Sequence, residues 1–481
     1  MSTQFASQTL LTQDFADKVQ QVFGRMAIDK RRLPMSQLKK RGIPAYVGEW
    51  LLESIVPGQG PISPDDAAKV QEWATRNIPG ADDQNIIKDR LLRGEIVKIL
   101  TPVQVEITLK RSKQERVAKL SLLGINDAFI PDEIVRSHPA LLKEGMWGVT
   151  ELVNTDEGVS VARFKPMQAT VNLELYKSAR AHFTADEWRA LMLLSMGYNP
   201  DAYSLDGQLL MLARLLPLVQ KNMTLAELAP KGTGKSYVFE NISPRVRLLT
   251  SDISPAVLFV NNASGQWGLL ARFSVVVLDE IHKMRFTDPD GIIAGLQGFL
   301  ANGELTRGGL YRTASDCGLV ILANISLDDQ QRPSTEPVIK ELPDFLQETA
   351  FIDRLKGIIP GWRLPKLSND CLASTVGLKS DFFGDALIEL RNDLSADQFS
   401  ARRIRLAGDR PYIRNEESVR AIASGLMKIL FPDGKVTDQE FAKYCLNPAK
   451  ELRQLVWDQL YILDAEYRQY SADLRFELKT H

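Results

Sequence analysis

Cysteine and histidine are scarce in this chain of 481 residues: three of the first, Cys317, Cys371 and Cys445, and four of the second, His138, His182, His282 and His481. The cysteines are far apart, which argues against a disulfide framework and fits reduced thiols in the cytosol. They share no ligand-like spacing with the histidines, so no zinc site is expected. Long apolar runs are missing too, and none approaches the roughly 20 residues needed to span a bilayer. The opening Met1-Ser-Thr-Gln-Phe-Ala-Ser-Gln8 lacks the basic flank and apolar stretch of a signal peptide. A cytoplasmic location without a membrane partner is the expectation. Neither sign of charge dominates, since 59 Lys+Arg face 60 Asp+Glu. Any pull toward nucleic acid must therefore come from local patches. What remains is an ordinary globular composition, 44% hydrophobic and 25% charged, at a length suited to about three domains.

The most informative stretch present is Ala229-Pro-Lys-Gly-Thr-Gly-Lys-Ser236. It fits the phosphate-loop template G-x-x-x-x-G-K-[ST]. In that template small residues let backbone N–H groups wrap a polyphosphate, the lysine pairs with outer oxygens, and the hydroxyl reaches Mg²⁺. Gly232, Thr233, Gly234, Lys235 and Ser236 are the nucleotide-binding set this predicts. Ala229 replaces the first glycine, which the turn tolerates only if that position has negative φ. Further on, Ser274-Val-Val-Val-Leu-Asp-Glu280 is an unbroken apolar run, the pattern of a strand buried on both faces. It ends in two carboxylates where ligands of open α/β sheets sit. Asp279 would share the metal with Ser236, and Glu280 would activate the attacking water.

Gly318–Asn324 is another buried strand, ending in an amide that can position this water. Arg354, in Phe351-Ile-Asp-Arg354, can reach a neighbouring subunit's nucleotide and stabilise the transferred phosphoryl group. Arg414 opens a predicted helix from Glu416 to Leu430, with Arg402, Arg403 and Arg405 as competitors for its role. Each piece alone is also a common structural feature. In this order they cohere as the Walker A, Walker B, sensor 1, arginine finger and sensor 2 of an AAA+ ATPase.

The runs Leu258-Phe-Val-Asn-Asn-Ala-Ser-Gly-Gln-Trp-Gly-Leu-Leu270, Val277-Leu-Asp-Glu280 and Phe351-Ile-Asp-Arg-Leu-Lys-Gly-Ile-Ile-Pro-Gly-Trp362 resemble the BrxL family. These are Lon-like AAA+ proteins of bacterial BREX phage-defence systems. The resemblance covers roughly residues 10 to 470. It implies an ATPase ring whose motor is related to Lon and to the MCM helicases, a hexamer or two stacked rings. Such a ring binds or encircles double-stranded DNA, acts against phage genomes and works beside other BREX proteins. It also places nucleotide roles on Lys235, Ser236, Asp279, Glu280, Asn324 and Arg354, with ATP and Mg²⁺ as cofactors. Longer relatives carry a Lon-protease-like domain at the C-terminal end. Only 67 residues follow Arg414, so a short form without proteolysis is the expectation.

The fold class expected is an α/β AAA+ P-loop core with a helical C-terminal lid, preceded by a helical region and a small OB-like β-barrel. The expected divisions are 1–94 helical, 95–195 OB-like and DNA-binding, 196–366 the ATPase core, and 367–481 the lid and final helices. Lys110, Arg111 and Lys113 sit in a hairpin-like basic stretch suited to DNA phosphates. Gly303–Arg312 reads as a second hairpin, with Arg307 and Arg312 toward DNA in a ring's pore. Lys30-Arg-Arg32 and Lys39-Lys-Arg41 are further basic clusters. For all of these an ordinary solvated face is the other reading. The main alternative function is a Lon-like protein remodeller without its own protease. That needs an exposed pore aromatic, for which Trp267 is the candidate. A nucleotide-gated scaffold is a third possibility.

Overall fold

The computed structural model of the chain describes residues 11–110, 113–167, 171–262, 265–307, 311–408 and 411–479. Its N-terminal part is helical, with helices Gln13–Phe23, Ala45–Ile55, Pro64–Asn77 and Gln84–Leu92. Pro44 ends the preceding loop and caps the second of these, and Ser63 caps the third by accepting the Asp66 N–H. Val47, Leu51, Leu52, Val70 and Ala74 close a small core between them. A short strand here, β1 (Ala27–Asp29), later pairs with the C-terminal half of the chain.

Two residues of the basic cluster at 30–32, Lys30 and Arg32, are buried in this core, while Arg31 between them is exposed. Lys30 is buried against Glu49 at 2.7 Å. Arg32 donates to the carbonyls of Val56 and Gly58, and Arg31 pairs with Asp29. Lys30 and Arg32 are held by local partners because a buried charge must be compensated.

Five strands then form a closed barrel: β2 (Val97–Lys110), β3 (Lys113–Leu120), β4 (Ile125–Phe129), β5 (Met146–Thr155) and β6 (Gly158–Pro166), in the order β2-β3-β4-β6-β5. Strict alternation of buried and half-buried residues along β5 is what a closed sheet with one filled interior demands. Val97, Val103, Val105, Ala118, Leu120, Leu152 and Val161 fill that interior. The barrel ladder stops at Pro166. The helices that follow, Leu173–Ala179 and Ala185–Ser195, bury Tyr176 and Trp188 in the core under the main sheet. By packing, the β domain therefore ends some 30 residues before the boundary expected at 195.

The apolar runs seen in the sequence become the inner strands of a parallel sheet. Its strands are β7 (Thr224–Ala229), β8 (Val246–Leu249), β9 (Val275–Leu278), β12 (Gly318–Asn324) and β13 (Gly357–Pro360). Between β9 and β12 lies the hairpin of β10 (Glu304–Arg307) and β11 (Tyr311–Ala314). The sheet order is β13-β7-β12-β9-β8, with every pair parallel. Both faces are covered, as the absence of alternation predicts. Val275 and Val277 of β9 enter one core, Val276 and Leu278 the other.

The helix Ile413–Leu430 packs into the core below the sheet. Val419, Ile422, Ala423 and Leu426 lie in the same core as β7 and β12. Its end accepts hydrogen bonds from distant side chains, Arg180 Nε to Leu430 O and Trp188 Nε1 to Ile429 O, both at 2.9 Å. A further short strand, β14 (Val376–Leu378), returns to β1, and two more, β15 (Ile404–Leu406) and β16 (Phe476–Leu478), pair antiparallel with each other. No helix among the described residues is long and apolar enough to cross a membrane.

Candidate active site

The phosphate loop leaves the C-terminal end of β7, a strand buried at all six positions. Ala229 remains in the ladder, paired with Asn324, and its φ is not positive. The alanine therefore costs the turn nothing. The turn itself is made by Gly232 (φ +87°) and Gly234 (φ +73°). A Cβ on Gly234 would stand 2.7 Å from Leu367 Cδ1 and 3.0 Å from Tyr198 Oη. The loop is pinned from outside by Tyr198 Oη donating to Gly234 O (3.0 Å) and by Leu367 N donating to Gly232 O (2.8 Å).

Lys235 opens the next helix, Lys235–Asn241, with Ser236 beside it. The Lys235 ammonium is buried and donates to Asn324 Oδ1 at the end of β12. Burial lowers its pKa, while the negative charges of Glu227, Asp279 and Glu280 pull the other way. Asn324 Nδ2 in turn donates to Glu280 Oε1 at 3.4 Å. Asp279, just beyond β9, is buried and accepts the Glu280 N–H at 2.8 Å. Glu280 lies at φ +48° with its side chain 39% exposed. The hydrogen bond from Lys283 holds its carboxyl below the usual range, helped by that lysine's charge and by Asn324. Gly232, Thr233, Gly234, Lys235, Ser236, Asp279, Glu280 and Asn324 thus converge at the C-terminal ends of three neighbouring parallel strands.

Arg354 and Arg414 lie elsewhere. β13 runs parallel to β7 with Gly357 opposite Leu225, and Lys356 N donates to Thr224 O (2.8 Å) at the start of β7. Arg354 is therefore at the opposite end of the sheet from Lys235, about 20 Å away at roughly 3.3 Å per strand residue. It is half-buried, and its guanidinium donates to Ala350 O. Arg414 pairs with Asp353, next to Arg354, and so belongs to this far end as well. Asp353 also accepts from Tyr412 Oη (2.7 Å) and Arg453 Nη2 (3.1 Å).

The basic hairpin candidates divide. Lys110 and Lys113 are paired in register at the tip of β2 and β3, while Arg111 lies outside the described residues. Arg307 faces Tyr311 across the second hairpin. Arg312 is exposed and ion-paired with Glu304 of the same hairpin, which raises its pKa. Trp267 is half-buried against the core containing Val276 and Leu278, its backbone bridged to Val260.

Two clusters escape the sequence: Arg214 with Glu227 under the phosphate loop, and Asp353 with Tyr412, Arg414 and Arg453. For the first a signal exists, since Glu227 is a carboxylate inside an otherwise uncharged strand.

Known proteins resemble this chain over most of its length. Residues 159–473 match the family model described as Lon-like protease BrxL-like, ATPase domain. Residues 21–153 match that for the N-terminal part of the BREX system Lon protease-like protein BrxL. A protein named Lon-like protease BrxL from Escherichia coli O9:H4 (strain HS) is 30% identical over 466 residues, covering 94% of this chain and 64% of its own. One of the same name from Bacillus cereus (strain H3081.97) is 27% identical over 426 residues, with 86% and 62% covered. The chain thus spans less than two thirds of either relative. A full-length MCM homologue from Methanopyrus kandleri superposes with TM-score 0.38 and 13% identity over 74% of this chain and 78% of its own, too slight a likeness to bear on function. On both family matches, which together cover most of its length, the chain belongs to the BrxL family.

Proposed function

We propose that the chain binds and hydrolyses Mg-ATP as a subunit of a ring, and that the ring engages double-stranded DNA in BREX phage defence. The observation that carries the ATPase reading is the meeting of Lys235, Asp279, Glu280 and Asn324 at adjacent strand ends. The donor set fits Mg²⁺, because Ser236 and Asp279 offer a hydroxyl and a carboxylate, hard oxygen ligands. When bound, the ion would neutralise charge on the β- and γ-phosphates. Lys235 and the loop N–H groups hold those phosphates. Glu280, charged at neutral pH, takes the proton of the attacking water, and Asn324 fixes Glu280 and that water.

Ring formation is supported by the position of Arg354. A finger at the far end of the sheet can serve only a nucleotide held by another chain. Arg414 shares that end, so any contact it makes with nucleotide is also across an interface. Beyond the sheet, Leu367 N donates to Gly232 O of the phosphate loop, and a nucleotide-driven lid movement would begin there. A hexamer, single or stacked, working in the cytoplasm with other BREX proteins, completes the proposal. DNA contacts are assigned to the two hairpins, at Lys110, Arg111, Lys113, Arg307 and Arg312. Protein remodelling is less well supported, since Trp267 packs against the core instead of standing free in a loop.

The test is ATPase rate per subunit against protein concentration, with and without long duplex DNA, for wild type and Arg354→Ala. A rate that rises with concentration and DNA, and collapses in the variant, is expected. Indifference to DNA would favour remodelling, and indifference to Arg354 would remove the finger.

A further inference from the structure

Beneath the phosphate loop lies an ion pair with no solvent exposure on either side chain. Arg214, just past the helix Leu205–Ala213, directs Nε and Nη2 at the two carboxylate oxygens of Glu227, at 3.0 and 2.6 Å. The same Nη2 donates to the carbonyl of Thr233 inside the loop (3.3 Å), and Nη1 lies 3.1 Å from Met211 Sδ.

Stability alone is a poor reason for such a pair. Removing two charges from water costs several kcal/mol each, and well-packed apolar residues of equal volume are often as stable or more so. Glu227 stands in β7 among Leu225, Ala226, Leu228 and Ala229, all fully buried, so an apolar residue would suit the strand. The contact to Thr233 O suggests what the pair does instead. A planar trans peptide points its C=O and the following N–H in opposite directions. Holding Thr233 O toward Arg214 therefore aims the Gly234 N–H away from the interior, to the side where a phosphate would lie. Burial lowers the pKa of the nearby Lys235; Glu227 opposes this more than any other neighbouring charge, offset in part by Arg214.

On the nucleotide reading above, on which this rests, we propose that Arg214 and Glu227 are positioning residues that preset the phosphate loop. Arg214 orients the Thr233–Gly234 peptide, and Glu227 holds Arg214 in place. Neither touches ATP.

The test compares wild type, Lys235→Ala, the apolar pair Arg214→Met with Glu227→Leu, and Arg214→Lys. Melting temperature, affinity for a fluorescent ATP analogue, and the KM and kcat of ATPase are measured. The apolar pair should melt at or above the wild-type temperature and yet bind nucleotide about tenfold or more weakly, since loss of preorganisation is paid at binding. Arg214→Lys keeps a charge for Glu227 but lacks the fork that reaches Thr233 O. It should weaken binding in the same direction, with KM rising more than kcat falls, and it decides the question if the apolar pair does not fold. Wild-type affinity in a folded apolar pair, or in Arg214→Lys, would overturn the proposal and leave the nucleotide site intact. Failure of wild type itself to bind would overturn both.

Discussion

Glu280 holds its place at the site by an uncommon backbone conformation and by two side-chain contacts, to Asn324 and Lys283. Glu280→Gln keeps the size and the Asn324 contact but removes the base. It should bind ATP normally and lose turnover by about 10²–10⁴-fold, the usual contribution of a general base. Lys235→Ala should lose binding as well. Lys283→Ala tests the electrostatics. Lys283 lowers the Glu280 pKa in the folded protein, so its removal raises that pKa. Protonation then begins at higher pH, and the acid limb of the ATPase pH profile should move upward. An unmoved limb would mean that Glu280 is not the titrating base. The residues of this constellation were legible in the sequence because each sits in a local signature: a glycine turn, or a polar residue ending an apolar run. Arg214 was not, because its role depends on a partner strand that only the fold brings near.

Between elements, the segment Phe351–Leu355, which ends the short helix Thr349–Ile352, is fastened to the helices Ile413–Leu430 and Asn447–Leu463 through Asp353. Arg453 is wholly buried, and besides the Asp353 carboxylate it serves the backbone carbonyls of Asp353 and Leu355. Asp353→Ala would leave Arg453 with an uncompensated buried charge. It should destabilise the protein by roughly 3–5 kcal/mol in urea unfolding, with ATPase activity lost through displacement of Arg354. A second element-scale prediction concerns the turn. Gly234→Ala would need a left-handed backbone and would collide with Leu367, so nucleotide binding should fall while the far-end cluster stays intact. Strands were readable here from their apolar runs, and the hairpin before β12 from its turn glycines. The fate of the C-terminal helices was not. The first half of helix Ile413–Leu430 carries a single apolar stripe, compatible with a surface cover or a core layer, while from Ile422 to Leu430 every residue is buried. The neighbours that make it a core layer, such as Trp188, lie over 200 residues away in sequence. The burial of Lys30 and Arg32 was not readable either, since their partners, Glu49 and the carbonyls at 56 and 58, are nearby in sequence but brought onto them only by the packing of the helices.

At the scale of the whole molecule, the phosphate loop and Arg354 occupy opposite ends of one sheet. If Arg354 acts as proposed, a head-to-tail contact between chains brings the two together, and such contacts close into rings or run on as filaments. Mixing Lys235→Ala with Arg354→Ala protein should therefore restore part of the ATPase activity that each lacks alone. Interfaces that join an intact loop to an intact arginine would do this, and no recovery would argue against sharing.

The hydrogen bonds from Arg180 and Trp188 to the end of helix Ile413–Leu430 bear on how the chain is made. Their donors leave the ribosome some 240 residues before their acceptors. Contacts this remote in sequence close slowly. Until synthesis has passed residue 430, the apolar undersides of β7 and β12 have lost one of their covering layers. The nascent N-terminal half is then a client for chaperones rather than a finished domain. A chain halted at residue 412 should accumulate as aggregate even though its phosphate loop, strand-end acids and Arg354 are all present.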